Sequence, residues 1–254
     1  MPRKNTALMS RCVLVTTCLV FQSAQVAHAQ LTVPNAYETI PGTSTFLGPL
    51  ANAGRTYQWL INANQLTSIV GDELTGISFR LPTSATAPWP AGGQSFANFD
   101  LYLSESVAPA DRSLTFSNNI VGTQTQVRSG SLSIADSAYG FGTSPNSFGP
   151  VINFTPYVYN GGHLLVELRH TGVSGTSRSV DAIGTTTAGY ATDFSACWTG
   201  SYTGTSGSQG NFSVIQFTTQ PVPEPALITL ISLSGLAVAA RWRKRSTAQG
   251  ESIS

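Results

Sequence analysis

Residues 163–170 read HLLVELRH. Leu164, Val166 and Leu168 fall on one side of this stretch and Glu167 and Arg169 on the other. That period of two belongs to a β-strand that turns one face to a core. Residues 77–81 (ISFRL) alternate in the same way and run into Pro82, which cannot donate to a ladder. Residues 99–103 (FDLYL) place Phe99, Leu101 and Leu103 together. Residues 212–217 give a closing strand, and residues 56–60 and 151–154 carry shorter strand patterns.

Turn-forming residues separate these runs: PWPAGG at 88–93, GFG at 140–142 with Pro145, NGG at 160–162, and the Gly/Ser/Thr-rich stretch 202–210. No helical period occurs between Gln30 and Gln220, and no repeat stands out. Many short strands with Gly/Pro turns predict an all-β domain, an antiparallel two-sheet sandwich of jelly-roll type. Asp72-Glu73, after Gly71, reads as a turn, and residues 218–221 as a linker stiffened by Pro221, Pro223 and Pro225.

The two ends of the chain differ from this body. Residues 1–29 have a secretory signal pattern. Arg3, Lys4 and Arg11 form a basic region, residues 12–21 an apolar one, and Ala27-His28-Ala29 an A-x-A cleavage site before Gln30. Cleavage there removes Cys12 and Cys18 and leaves Cys197 alone, so the exported chain has no internal disulfide. Residues 30–220 hold six Arg, no Lys and ten Asp/Glu, a formal charge of −4. Phosphate contacts need clustered cations, so a nucleic-acid partner is excluded for the body.

Residues 221–245 read PVPEPALITLISLSGLAVAARWRKR. A Pro-Glu-Pro elbow (Pro223, Glu224, Pro225) precedes an uncharged apolar run, 226–240, and a basic cluster of Arg241, Arg243, Lys244 and Arg245. A helix over the run spans roughly 22 Å, less than a hydrocarbon core of ~30 Å; Trp242 at the interface and snorkelling basic side chains make up part of the difference. The cluster marks its end as cytoplasmic, which places the body outside.

These three ordered features resemble the PEP-CTERM sorting signal of Gram-negative-type bacteria, a likeness confined to the last thirty or so residues. The chain departs from the pattern by running on through residues 246–254, a short cytoplasmic tail. The resemblance implies recognition by an exosortase, a membrane-embedded transpeptidase-like protease that processes its substrates near the Pro-Glu-Pro. It also implies an organism that makes extracellular polysaccharide. The expected organisation is a signal peptide (1–29), an extracytoplasmic β domain (30–218), a sorting signal with a transmembrane helix (219–245) and the tail. The protein is expected to cross the inner membrane, stay anchored there until processing, and then reach the cell surface or matrix.

Signs of chemistry in the body are few. No G-x-S-x-G, P-loop, H-E-x-x-H or C-x-x-C motif is present. His163 and His170, seven apart on one strand, point to opposite faces and share no metal. Asp72 and Glu73 lack a calcium-loop ligand series. Cys197, beside Trp198, has no neighbouring basic residue to activate it. Glu38, Asp100, Glu105 and Glu167 form glycosidase-type pairs only on paper. No catalytic residue, metal ligand or cofactor is assigned.

Aromatic residues are the one positive hint of a ligand. Trp59, Trp89 and Trp198, with Tyr157, Tyr159, Tyr190 and Tyr202, lie outside clean alternation, and Trp89 sits between two prolines. Exposed on a rigid scaffold, such rings stack on sugar faces; buried, they cap the core. The sequence therefore points to a non-enzymatic protein of the envelope or polysaccharide matrix. The alternatives are a carbohydrate-binding module, and a secreted glycan hydrolase.

Overall fold

The computed structural model describes residues 29–222. Fifteen strands run through them: β1 (Ala29–Val33), β2 (Ser44–Phe46), β3 (Arg55–Ile61), β4 (Asp72–Phe79), β5 (Gln94–Phe96), β6 (Phe99–Ser106), β7 (Ile120–Arg128), β8 (Leu132–Ile134), β9 (Ile152–Val158), β10 (Leu164–His170), β11 (Val180–Ile183), β12 (Phe194–Thr199), β13 (Ser208–Gln209), β14 (Phe212–Ser213) and β15 (Ile215–Pro221). Six short 3-10 turns join them, and there is no α-helix among the described residues. The fold is all-β, and every strand-to-strand ladder is antiparallel.

The strands order as β13-β12-β3-β10-β6-β7 in the largest sheet and β1-β15-β4-β9 in the second. Two smaller sheets, β14-β11-β2 and β5-β8, complete the set. The alternation in β10 does what its pattern requires. Leu164, Val166 and Leu168 join the core with Leu103 and Leu101 of β6 and Trp59 and Tyr57 of β3, directly opposite them in the ladders. Ile77 and Phe79 of β4 and Ile215 and Phe217 of β15 bring the second sheet to the same cluster. Trp59 and Phe79 stack across the two sheets, with ring centroids 6.0 Å apart. Replacing a ring of this kind by alanine costs about 3–5 kcal/mol, because transfer energy and a cavity add.

The other face of the large sheet is not open to water as expected. Glu167 does point away from the core, yet it is only 1% exposed. Residues 113–119 lie across it. They are held by Phe116 N–H to Thr205 O (2.9 Å) and Gly207 N–H to Leu114 O (3.0 Å). Beneath them Gln58 donates to Glu167 Oε2 (2.5 Å) and to Phe116 O (3.2 Å), and Asn119 donates to Gln58 Oε1 (2.8 Å). Arg169 Nε reaches Glu167 Oε1 at 2.6 Å. An unpaired buried polar group is costly, and here Gln58, Asn119, Glu167 and Arg169 pair with one another. The Ser104 and Ser195 hydroxyls on the same face, however, have no partner among the described residues.

Two local expectations are corrected. Asp72 and Glu73 open β4 rather than form a turn, because Asp72 lies opposite Pro221 and Glu73 pairs with both Gln220 and Val158. Residues 218–221 are strand rather than linker: β15 continues to Pro221, and Thr219 is fully buried between Ala29 and Leu74.

Candidate functional site

The sorting residues Pro223, Glu224, Pro225, Arg241, Arg243, Lys244 and Arg245 lie outside the described residues, as do Ala27 and the apolar run 226–240. No helix among the described residues is long and apolar enough to cross a membrane. Ala29 and Gln30 lie in β1, opposite Thr219 and Thr218 of β15. The first and last strands are therefore neighbours, and the body's two ends leave one sheet side by side. A single residue, Val222, separates β15 from Pro223.

The three tryptophans do not form a stacking platform. Trp59 is fully buried and donates Nε1–H to Ser213 O at 3.2 Å. Trp89 is 4% exposed despite its flanking prolines, because it pairs with Tyr139 through its backbone and donates Nε1–H to Thr176 O at 2.9 Å. Trp198 is half-buried, with the Arg55 guanidinium 5.1 Å over its ring and Phe46 at its edge. Tyr159 and Tyr190 spend their hydroxyls on Gly162 O (2.5 Å) and Gly210 O (2.6 Å). Of the two readings of these rings, exposed for a sugar face or buried in the core, Trp59 and Trp89 take the second: their indole N–H groups and ring faces are both used inside the body.

The carboxylates and other reactive groups are likewise engaged. Asp100 accepts from Gly130 N–H (2.9 Å) and Tyr202 Oη–H (2.5 Å), which pushes the Tyr202 phenol up to about 12. Burial pushes the Cys197 thiol up to about 12, and its sulfur lies 3.5 Å from both Gln58 and Asn119. His170 is fully buried, and burial lowers it to about 4. His163 is half-buried and sits one residue before β10, its Nδ1 accepting from Ala63 N–H at 3.1 Å. Among the described residues no group of three His, Cys, Asp or Glu side chains is placed to hold a metal.

The described residues form two sizeable open concavities, besides a small one beside Glu105, Tyr157 and His163. A groove of about 390 Å³ runs between the edge strands β7 and β9, along Gln126, Arg128, Ser129, Asn153 and Thr155. A second, of about 320 Å³, lies where Thr45 and Leu47 meet Ser84, Thr86 and Arg178. The sequence offered no sign of either, because each is assembled from segments far apart in the chain. No family model, no curated protein and no solved structure matches this chain.

Proposed function

We propose that this is an exported, non-enzymatic protein of the bacterial envelope or extracellular polysaccharide matrix, sorted through its C-terminal tail by an exosortase-type enzyme. In this reading the body is a two-sheet sandwich of jelly-roll type, and residues 226–240 form a transmembrane helix that holds it at the inner membrane before processing. The observation that carries the proposal is the ordered tail: Pro223-Glu224-Pro225, an uncharged run, then Arg241, Arg243, Lys244 and Arg245. The pairing of β1 with β15 supports it, since both signals then extend from one side of the body. Engagement of Glu167, Asp100 and Cys197 in internal hydrogen bonds suits a structural role for them.

Intact mass and cell fractionation of the native protein test this. The expected result is a C-terminus near Pro225 in a surface or matrix fraction. An intact tail in the membrane fraction overturns it, and so does unchanged maturation of Glu224→Ala.

A further inference from the structure

The 320 Å³ concavity is built from three pinned segments. Asn52 N–H donates to Ser177 Oγ (2.9 Å), and Ser177 returns its hydroxyl to Asn52 Oδ1 (2.7 Å). Arg178 N–H donates to Leu50 O at 3.0 Å, and Asp181 pairs with Thr45 in the β11–β2 ladder. On the opposite wall Asn146 Nδ2 holds the carbonyls of Leu81 and Pro82 (3.2 and 2.9 Å), and Ala85 N–H donates to Pro82 O at 2.9 Å. The walls are set before any ligand arrives, and that lowers the cost of binding.

Its chemistry is one-sided. Arg178 is the only charged residue in the lining, although carboxylates outnumber arginines in the body. Two ion pairs occur among the described residues, Arg80–Asp181 and Arg169–Glu167, and Arg178 belongs to neither. Its side chain makes one long hydrogen bond, Nη2 to Ala87 O at 3.4 Å, which leaves most of the guanidinium fork available. Thr45, Ser84, Thr86 and Ser179 line the same space, and their hydroxyls make no hydrogen bond to other described residues, while Leu47 gives an exposed apolar flank. The larger groove differs in the decisive respect: Arg128 is committed to the carbonyls of Phe99, Gly130 and Ser131.

A planar guanidinium matches a carboxylate, a ring of hydroxyls matches a polyol, and an aliphatic flank matches the C–H face of a pyranose. We propose that this concavity binds a carboxylated sugar, a uronate unit of an acidic polysaccharide. Arg178 pairs with the carboxylate, Ser84, Thr86 and Ser179 meet the ring hydroxyls, and Leu47 covers the apolar face. The site stands on its own residues and holds whether or not the tail is a sorting signal.

Isothermal titration of the purified full-length chain with glucuronate, glucose and inorganic phosphate tests it. Glucuronate is expected to bind saturably in the millimolar range. Glucose, which lacks the carboxylate, should be weaker by about tenfold, the worth of a charge-assisted contact. Phosphate, which keeps the charge but lacks the ring hydroxyls and the C–H face, should also be weaker by about tenfold. Arg178→Gln is expected to lose about tenfold in glucuronate affinity. Leu47→Glu, at an exposed position, is expected to lose a similar factor by repelling the carboxylate without touching the core. Absence of saturable glucuronate binding, equal affinity for glucose, equal affinity for phosphate, or full affinity in both variants overturns the proposal.

Discussion

Arg80 and Asp181 form an ion pair in the interior, Nε to Oδ2 at 2.8 Å, with side chains 1% and 2% exposed. Arg80 donates through Nη2 to Tyr37 O (2.9 Å) and Ile40 O (2.7 Å) and through Nη1 to Glu38 O (3.5 Å), and lies 5.1 Å over the Phe148 ring. Asp181 accepts Gly42 N–H at 3.0 Å through both oxygens. The pair therefore ties residues 37–42, which have little apolar burial of their own, to the ends of β4 and β11. Gly42 is required for this approach: a Cβ there would lie 2.3 Å from Ala182 O.

Removing one partner leaves the other charge buried and unpaired. Arg80→Met is expected to destabilise the body by about 3–5 kcal/mol. The double variant Arg80→Met/Asp181→Leu should recover part of that loss by removing the stranded carboxylate. Urea unfolding of the three proteins checks both statements.

His170 makes stability depend on pH. Gly172 N–H donates to its Nδ1 (3.0 Å), so Nε2 carries the proton given to Gly48 O (2.7 Å), and the neutral ring stacks on Phe99 at 5.9 Å. Protonation would set a second N–H against that of Gly172. Burial, outweighing the Gly48 carbonyl and joined by the Arg55 charge, lowers its pKa to about 4, whereas the unfolded chain titrates near 6.5. Below about 6.5 the unfolded state takes up a proton that the folded state refuses. Stability from this residue is thus fully present above that pH and falls by roughly 3 kcal/mol as pH drops through about 4. His170→Gln, compared with the native chain in denaturant melts at neutral and mildly acidic pH, should lack this share of the slope.

Cys197 should be inert in the folded protein. Its thiol is buried and pushed up to about 12 chiefly by burial, against a lowering pull from Arg112. Thiolate is the reactive form, so an aromatic disulfide reagent at mildly alkaline pH should leave the native body unlabelled. Unfolding in guanidinium should make the same thiol react at once. Labelling of the native protein at the unfolded rate would contradict this burial.

Legibility followed the physics of each strand. In β6 and β10 one face meets the core and the other carries polar groups, so alternation placed Phe99, Leu101, Leu164, Val166 and Leu168 directly. β7 (IVGTQTQVR) escaped because it is an edge strand whose residues are mostly exposed, with two register shifts against β6 and Gly122 at φ +68°. The Pro-Trp-Pro at 88–90 reads as an exposed loop, yet pairing with Tyr139 across the fold buries Trp89. Arg178 lies in a Gly/Ser/Thr stretch with no local mark of a site. Only the approach of β2 and the loop after β4 gives it one.

The end of β15 gives the last prediction. The polar run TTQP at 218–221 has the composition of a linker, but Thr219 is fully buried between Ala29 and Leu74, and Gln220 Nε2 donates to Glu73 Oε2 at 2.6 Å. A chain ending at Val222 retains the pairings of β15 with β4, whereas one ending at Thr218 loses those of Thr219, Gln220 and Pro221 with Leu74, Glu73 and Asp72. The chain ending at Val222 should melt like the full body. The shorter should lose about 1–3 kcal/mol, the sum of a few ladder and cross-strand contacts. Thermal unfolding of the two side by side decides between strand and linker: equal midpoints would mean that residues 219–221 contribute nothing to the sheet.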